Sequence, residues 1–305
     1  MLRLRAVAPV LSFALLAAGC SSTPSAPSSD SGSSQPSAAG QSDSIAQASD
    51  GASMASCTPA DMQTKEAGTL TVATGEVVFE PWMKDDTPEN GEGFESALVY
   101  AVAERLGYQK DDVKWVRTGF DEAIKPGEKD WDVNIQQYSI TDERKQVVDF
   151  TAPYYKVQQA VVAAKDASIK EAKTIGALKS AKLGAHIGST SLHYIDDEIK
   201  PDAPAQAYDD NVAAKSAIDA GQVDGVVFDL PTAFYVTAVE MPDTTIVGIL
   251  PEAEDGEAMG MLLPKGSPIK GCLDQAIESL DAAGELKSLQ DKWLTAGGDI
   301  ATLER

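Results

Sequence analysis

Lys182-Leu-Gly-Ala-His-Ile-Gly-Ser-Thr-Ser-Leu-His-Tyr-Ile-Asp-Asp-Glu198 sets out one structural unit in full. The run over 182–187 predicts a strand, Gly188-Ser189 a turn, and 190–198 a helix. The same alternation continues on both sides. Residues 211–220 predict a helix that Gly221 stops, 223–228 a strand, and 231–239 a helix with Pro231 in its first turn. Upstream, 69–74 alternates as a strand. Phe94, Ala97, Leu98, Ala101, Val102 and Leu106 share one helical face ahead of Gly107. Strands are expected at 113–117, 131–136 and 158–164, and again at 245–249 and 258–263. Helices at 269–282 and 285–294 close the chain. Strands alternating with helices indicate α/β layers with mostly parallel sheets. A body running from about 57 to 305 exceeds the usual size of one such core, so two lobes are expected.

The N-terminus reads as an address. Arg3 and Arg5 precede an apolar stretch over 6–18, which ends Leu16-Ala17-Ala18-Gly19-Cys20. A positive start, a short apolar core and small residues define a secretory signal over 1–19. The closing Cys20 resembles a bacterial lipobox, with Ala17 where Leu is more usual; the alternative is an ordinary signal peptide with a chance Cys. Acyl chains such as palmitate on Cys20 would anchor the protein to the outer face of the cytoplasmic membrane. Residues 21–56 hold 14 Ser, 7 Ala, 3 Pro and 3 Gly, too little apolar surface to offset ordering entropy. A disordered tether over 20–56 is expected, with a reach of roughly 35 Å.

Charge narrows the partners. The 305 residues carry 25 Lys+Arg against 47 Asp+Glu, a formal net charge of −22. Phosphate contacts need clustered cations, so nucleic acid and polybasic membrane patches are excluded. Three Cys and two His argue against a four-ligand zinc site. No cofactor or metal is expected. With Cys20 lipidated, Cys57 and Cys272 remain as an even pair in an exported body, which suggests a disulfide; two free buried thiols are the alternative.

Chemistry in open α/β sheets gathers beyond the carboxyl ends of strands. There the sequence carries Asp132-Val-Asn-Ile-Gln-Gln-Tyr-Ser-Ile-Thr-Asp-Glu-Arg144 and Val148-Asp-Phe-Thr-Ala-Pro-Tyr-Tyr155. Supporting pieces are Glu80-Pro-Trp82, Gly93-Phe-Glu95, Gly188-Ser-Thr190, Gly221-Gln-Val-Asp224, Val227-Phe-Asp229 and the final 284–293 segment. This ordered set resembles the amino-acid-binding solute receptors of ABC importers, the family 3 type of extracellular solute-binding proteins. The shortened 123–130 stretch, broken by Pro126, resembles a Gram-positive branch. The resemblance implies a two-lobed periplasmic-binding-protein-like fold of type II with two hinge strands. Lobe one would comprise 57–160 and 255–305, and lobe two 161–254, with crossings near 159–163 and 249–260. It implies a monomer that captures a free amino acid, polar or cationic by preference, and delivers it to an ABC permease and its ATPase.

Residue types fit that role, each beside a plainer one. Arg144 offers a planar fork for a carboxylate, or could pair on the surface with Asp142 or Asp149. Ser139 can add its hydroxyl and backbone N–H to the same carboxylate. Ser189 and Thr190 open a helix and can hold an anion, cap the helix, or both. The resemblance places the α-carboxylate between Arg144 and Thr190, and the α-ammonium on Asp229, which could instead cap the helix ahead of Pro231. Phe79 and Phe120 would sandwich the side chain or pack in the core. Glu76, Gln136 and Gln137 would read its tip, Glu76 depending on a one-residue gap at Gly75. Trp82 is expected beneath the site, and His186 and His193 receive no role. A dehydratase-type enzyme on the same fold, or a ligand sensor for a signalling partner, are the competing functions; no catalysis is expected.

Overall fold

The computed structural model describes residues 57–252, 256–294 and 299–305. They fall within one compact unit, Asp50–Arg305. The expected signal, Cys20 and the tether lie outside the described residues.

The first lobe begins with β1 (Leu70–Thr74), α1 (Phe94–Arg105), β2 (Val113–Arg117), α2 (Phe120–Ile124), β3 (Val133–Asn134) and β4 (Val148–Phe150). A linking strand, β5 (Tyr155–Val157), leads to β6 (Gln159–Ala164), β7 (Leu183–His186), α3 (Thr190–Tyr194), β8 (Gln206–Tyr208), α4 (Asn211–Asp219), β9 (Gly225–Asp229), α5 (Leu230–Tyr235) and β10 (Thr244–Ile249). The chain returns through β11 (Glu257–Met259) to β12 (Leu262–Pro264), α6 (Lys270–Ala282) and α7 (Glu285–Trp293). The first sheet has the order β2-β1-β3-β12-β4 and the second β10-β6-β9-β7-β8; β5 and β11 form a separate antiparallel ribbon between them.

The sheets are mixed, not mostly parallel as expected. β12 runs against β3 and β4, and β6 runs against β9 and β10. The reason lies in the chain path. β12 and β6 both arrive from the linking ribbon, so they enter their sheets at the edge where β4 and β10 leave. The others are joined by crossovers containing helices and stay parallel.

Other expectations shift at their ends. The strand expected over 258–263 divides into β11 and β12 because its partner changes from β5 to β4. The first crossing falls at β5; the segment expected to cross, 159–163, pairs along its length within the second sheet. The second crossing includes β11, and its 253–255 portion lies outside the described residues. The helices expected over 190–198 and 231–239 end in wider π-helical turns, Ile195–Ile199 and Val236–Glu240.

Trp82, Phe94, Leu98, Val102, Leu273 and Ile277 anchor the first core. The second sheet is covered on two faces, one with Leu183, Ile195 and Val227, the other with Val162, Ile218 and Phe228. Cys57 and Cys272 form a disulfide, with Cα atoms 5.5 Å apart, tying the start of the body to α6. The expectation that all of 255–305 stays with lobe one needs correction. Leu303 is buried in the second lobe's core, and Thr302 and Glu304 bridge to Ile249 and Thr174. The fit depends on Gly248: a Cβ there would lie 2.6 Å from Leu303 Cδ2. Arg305 adds an ion pair to Glu198 at 2.8 Å. Among the described residues no helix is long and apolar enough to cross a membrane.

Candidate functional site

Between the lobes lies a cavity of about 740 Å³, part of it open to solvent. Its walls are the segments following β1, β2, β3, β7 and β8 together with the last residues of β9, so the strand carboxyl ends do converge on it. Phe79, Phe120, Gln136, Gln137, Ser139 and Arg144 line it from the first lobe, and Ser189, Thr190 and Asp229 from the second. Glu76 is not brought there. It is exposed, and Val77 and Val78 take the wall beside Phe79. The chain bends at Glu76 and Val77 after β1 ends, and the bend turns the acid outward.

Arg144 is 7% exposed and spans the lobes. Its Nη1 donates to the Ser139 carbonyl at 2.8 Å and its Nη2 to the Gly188 carbonyl at 2.9 Å. The guanidinium lies 5.3 Å from the Phe120 ring centre, and Phe120 stacks on Tyr138 at 4.6 Å. The surface alternative is removed, since Asp142 pairs with Lys145 and Asp149 with Lys265. Burial pulls the Arg144 pKa below its ordinary value, but an arginine starts high enough to stay charged. Gly188 is held at φ +69°, and a Cβ there would fall 2.5 Å from Asp121 Oδ1. No other residue type fits that turn without displacement.

Ser189 does cap α3: its Oγ accepts from Leu192 N–H at 3.2 Å. The Ser139 hydroxyl, expected to meet the ligand carboxylate, is bonded within the protein. It donates to the Glu257 carboxylate, and Thr190 Oγ1 donates to the same oxygen, Oε1, at 2.6 Å. Gln159 Nε2 donates to Glu257 Oε2 at 2.9 Å. Asp229 stands at the N-terminus of α5 without making a side-chain cap bond, and part of its surface opens to the cavity. Burial, then the nearby Glu257 and Glu95 carboxylates, pushes its carboxyl well above the usual range, with Arg144 opposing. An incoming cation would restore the charged form.

Sequence reasoning missed several members. Glu95 is fully buried in the first turn of α1. It accepts from Gln137 N–H at 2.8 Å, from the Gln137 side-chain amide and from the Tyr154 hydroxyl. Those bonds hold Gln137 at φ +51°, turning the segment after β3 into the cavity wall. Burial pushes the Glu95 carboxyl up to about 7. The Gly93-Phe-Glu95 motif marked this residue without giving its role. His186 lines the cavity edge-on to Phe120 at 4.9 Å, with burial lowering its pKa. Asp210, Asn211 and Phe228 complete the wall. Trp82 is buried and does not line the cavity, and its Nε1 donates to Thr232 Oγ1 of the second lobe at 2.8 Å. Among the described residues no cluster of His, Cys, Asp and Glu could hold a metal.

The arrangement presents a buried cation and a half-buried acid from opposite lobes, with the rings of Phe79 and Phe120 lining the same cavity. Comparison with known proteins agrees. The L-arginine-binding protein of Pseudomonas aeruginosa is 32% identical over 210 residues, covering 67% of this chain and 79% of the relative. An ancestral arginine-binding protein, solved bound to glutamine, superposes with a TM-score of 0.63 at 32% identity, covering 75% of this chain and 98% of its own. An ancestral amino-acid-binding protein described as a precursor of cyclohexadienyl dehydratase gives 0.61 at 28% identity, covering 75% and 96%. The sequence pattern of the bacterial extracellular solute-binding proteins, family 3, matches residues 70–296, and the chain belongs to that family, with its two-lobed type II fold.

Proposed function

We propose that the cavity captures a free amino acid, whose two charges are met by Arg144 and Asp229 from opposite lobes. The observation that carries this reading is that the two groups face one cavity from its two sides: a fork of donors for the α-carboxylate, and an acid whose ionised form awaits an ammonium. The backbone N–H groups of Ser139 and of the first turn of α3 supplement Arg144. Phe79 and Phe120 flank the side chain, and Gln136, Gln137, His186 and Asp210 face its tip. A polar or cationic side chain suits this lining best, and the related proteins named for arginine support it. Residues 57–158 with 256–294 form the first lobe, and 159–252 with 299–305 the second.

The protein hands its ligand to an ABC importer from the outer membrane face, held there as a monomer by lipid on Cys20. No bond-making step is involved. Kinship with a dehydratase precursor favours an enzyme as the second reading. Isothermal titration against the twenty amino acids, with mass spectrometry for turnover, separates the two. One or a few amino acids should bind unchanged; conversion of any of them, or binding of none, would reject the assignment. Cys20→Ser should free the protein into the medium with its affinity intact, and retention of that variant on the membrane would reject the anchor.

A further inference from the structure

Among the described residues, one set of bonds between the lobes centres on an acid that does not line the cavity. Glu257 is the first residue of β11, on the return strand of the linking ribbon. It faces a separate hollow behind the site, with Val157, Gln159 and Tyr194. From there its Oε1 accepts from Ser139 of the first lobe and Thr190 of the second, while Oε2 accepts from Gln159. Ser139 Oγ and Thr190 Oγ1 are brought to 3.4 Å of each other. Arg144 mirrors this arrangement in the opposite sense, donating to one carbonyl from each lobe. One anion and one cation are therefore each bonded to both lobes.

A hinge rotation must carry Thr190 away from Ser139. One carboxylate oxygen fixed on the hinge ribbon cannot follow both, so opening breaks at least one charge-assisted bond. We propose that Glu257 is a positioning residue: it clasps Ser139 and Thr190, sets the closed population before ligand arrives, and so scales affinity for every ligand alike. The inference rests on the reading that ligand binds between the lobes. It differs from a specificity role, because Glu257 meets the two residues through their hydroxyls, leaving their backbone N–H groups for the α-carboxylate that all amino acids share. One charge-assisted bond changes the open-to-closed ratio by about 10–100-fold, and the observed affinity follows the competent fraction.

The test uses the full chain as wild type, Glu257→Ala and Glu257→Gln, with L-arginine and L-glutamine as probes. Small-angle scattering without ligand should show a larger radius of gyration for Glu257→Ala than for wild type. Saturation with a bound probe should bring both to the same value. Affinity for both probes should fall about 10–100-fold in Glu257→Ala with their ratio unchanged. Glu257→Gln keeps a neutral acceptor for both hydroxyls but loses the charge and sets a donor against Gln159 Nε2, so it should recover only part of the loss; that partial recovery also shows that the effect is not misfolding. Equal ligand-free radii in wild type and Glu257→Ala would overturn the proposal, as would a shifted affinity ratio. If neither probe binds wild type, the choice of ligand fails, while the ligand-free radii still decide the clasp.

Discussion

Glu95 offers a direct measure of what the site's construction costs in stability. Its carboxyl is fully buried against Tyr154 and Gln137 and titrates at about 7, against an ordinary value of 4.5. The folded state thus holds this proton more tightly than the unfolded chain. The resulting stabilisation is complete below the unfolded pKa and is lost as pH rises through the folded one. A shift of about 2.5 pH units at 1.36 kcal/mol each amounts to roughly 3 kcal/mol. Glu95→Gln removes the titration while keeping an acceptor for Tyr154 and the Gln137 N–H. Between about pH 4 and about pH 8 the stability difference should move by roughly 3 kcal/mol in favour of the variant. Urea denaturation across that range reads it directly, and thermal melting should show the gap moving by about 6–12 °C. Asp229 titrates in the same sense, so wild type alone would show a steeper slope; the difference between the proteins removes most of that contribution and leaves Glu95 with its own coupling to Asp229. Curves that stay parallel within about 0.5 kcal/mol would refute a buried, proton-holding Glu95.

Arg144→Ala should weaken amino-acid binding by about 2–5 kcal/mol in calorimetry, since it strands a desolvated carboxylate. Arg144→Lys should recover only part of that, lacking the fork that reaches both Ser139 and Gly188; unchanged affinity in a folded Arg144→Ala protein would remove Arg144 from the site. Reduction of Cys57–Cys272, which closes a sequence separation of 215, should lower stability by up to about 5 kcal/mol and depress the melting temperature. Thiol labelling of both cysteines in the native, unreduced protein would contradict the bond.

The residues legible in the sequence were those whose partners are local or whose type is restrictive. Arg144 stands in a motif with few alternatives, and Asp229 follows a strand that its apolar run announces. α1 was visible from its apolar face and its Gly107 stop. Glu257 was not legible, because its bonds to Ser139 and Thr190 span 118 and 67 residues and exist only once both lobes are assembled. The short β4, β5 and β8 hold three residues each, too few for a period to emerge. Glu76 failed on the bend that follows β1, which strand alternation does not foretell. The mixed sheets followed from the paths through β5 and β11, which local patterning does not encode.

The seating of Leu303 over Gly248 bears on the order in which the molecule can be built. The second sheet takes all five strands from β6 to β10, yet part of what covers it comes from beyond α7. A chain emerging N-terminus first presents the whole sheet before the residue that closes one edge of its core. A nascent or clipped chain ending at Leu294 would carry an open apolar notch at Gly248, lined by Val247 and Leu250, for as long as the tail was missing.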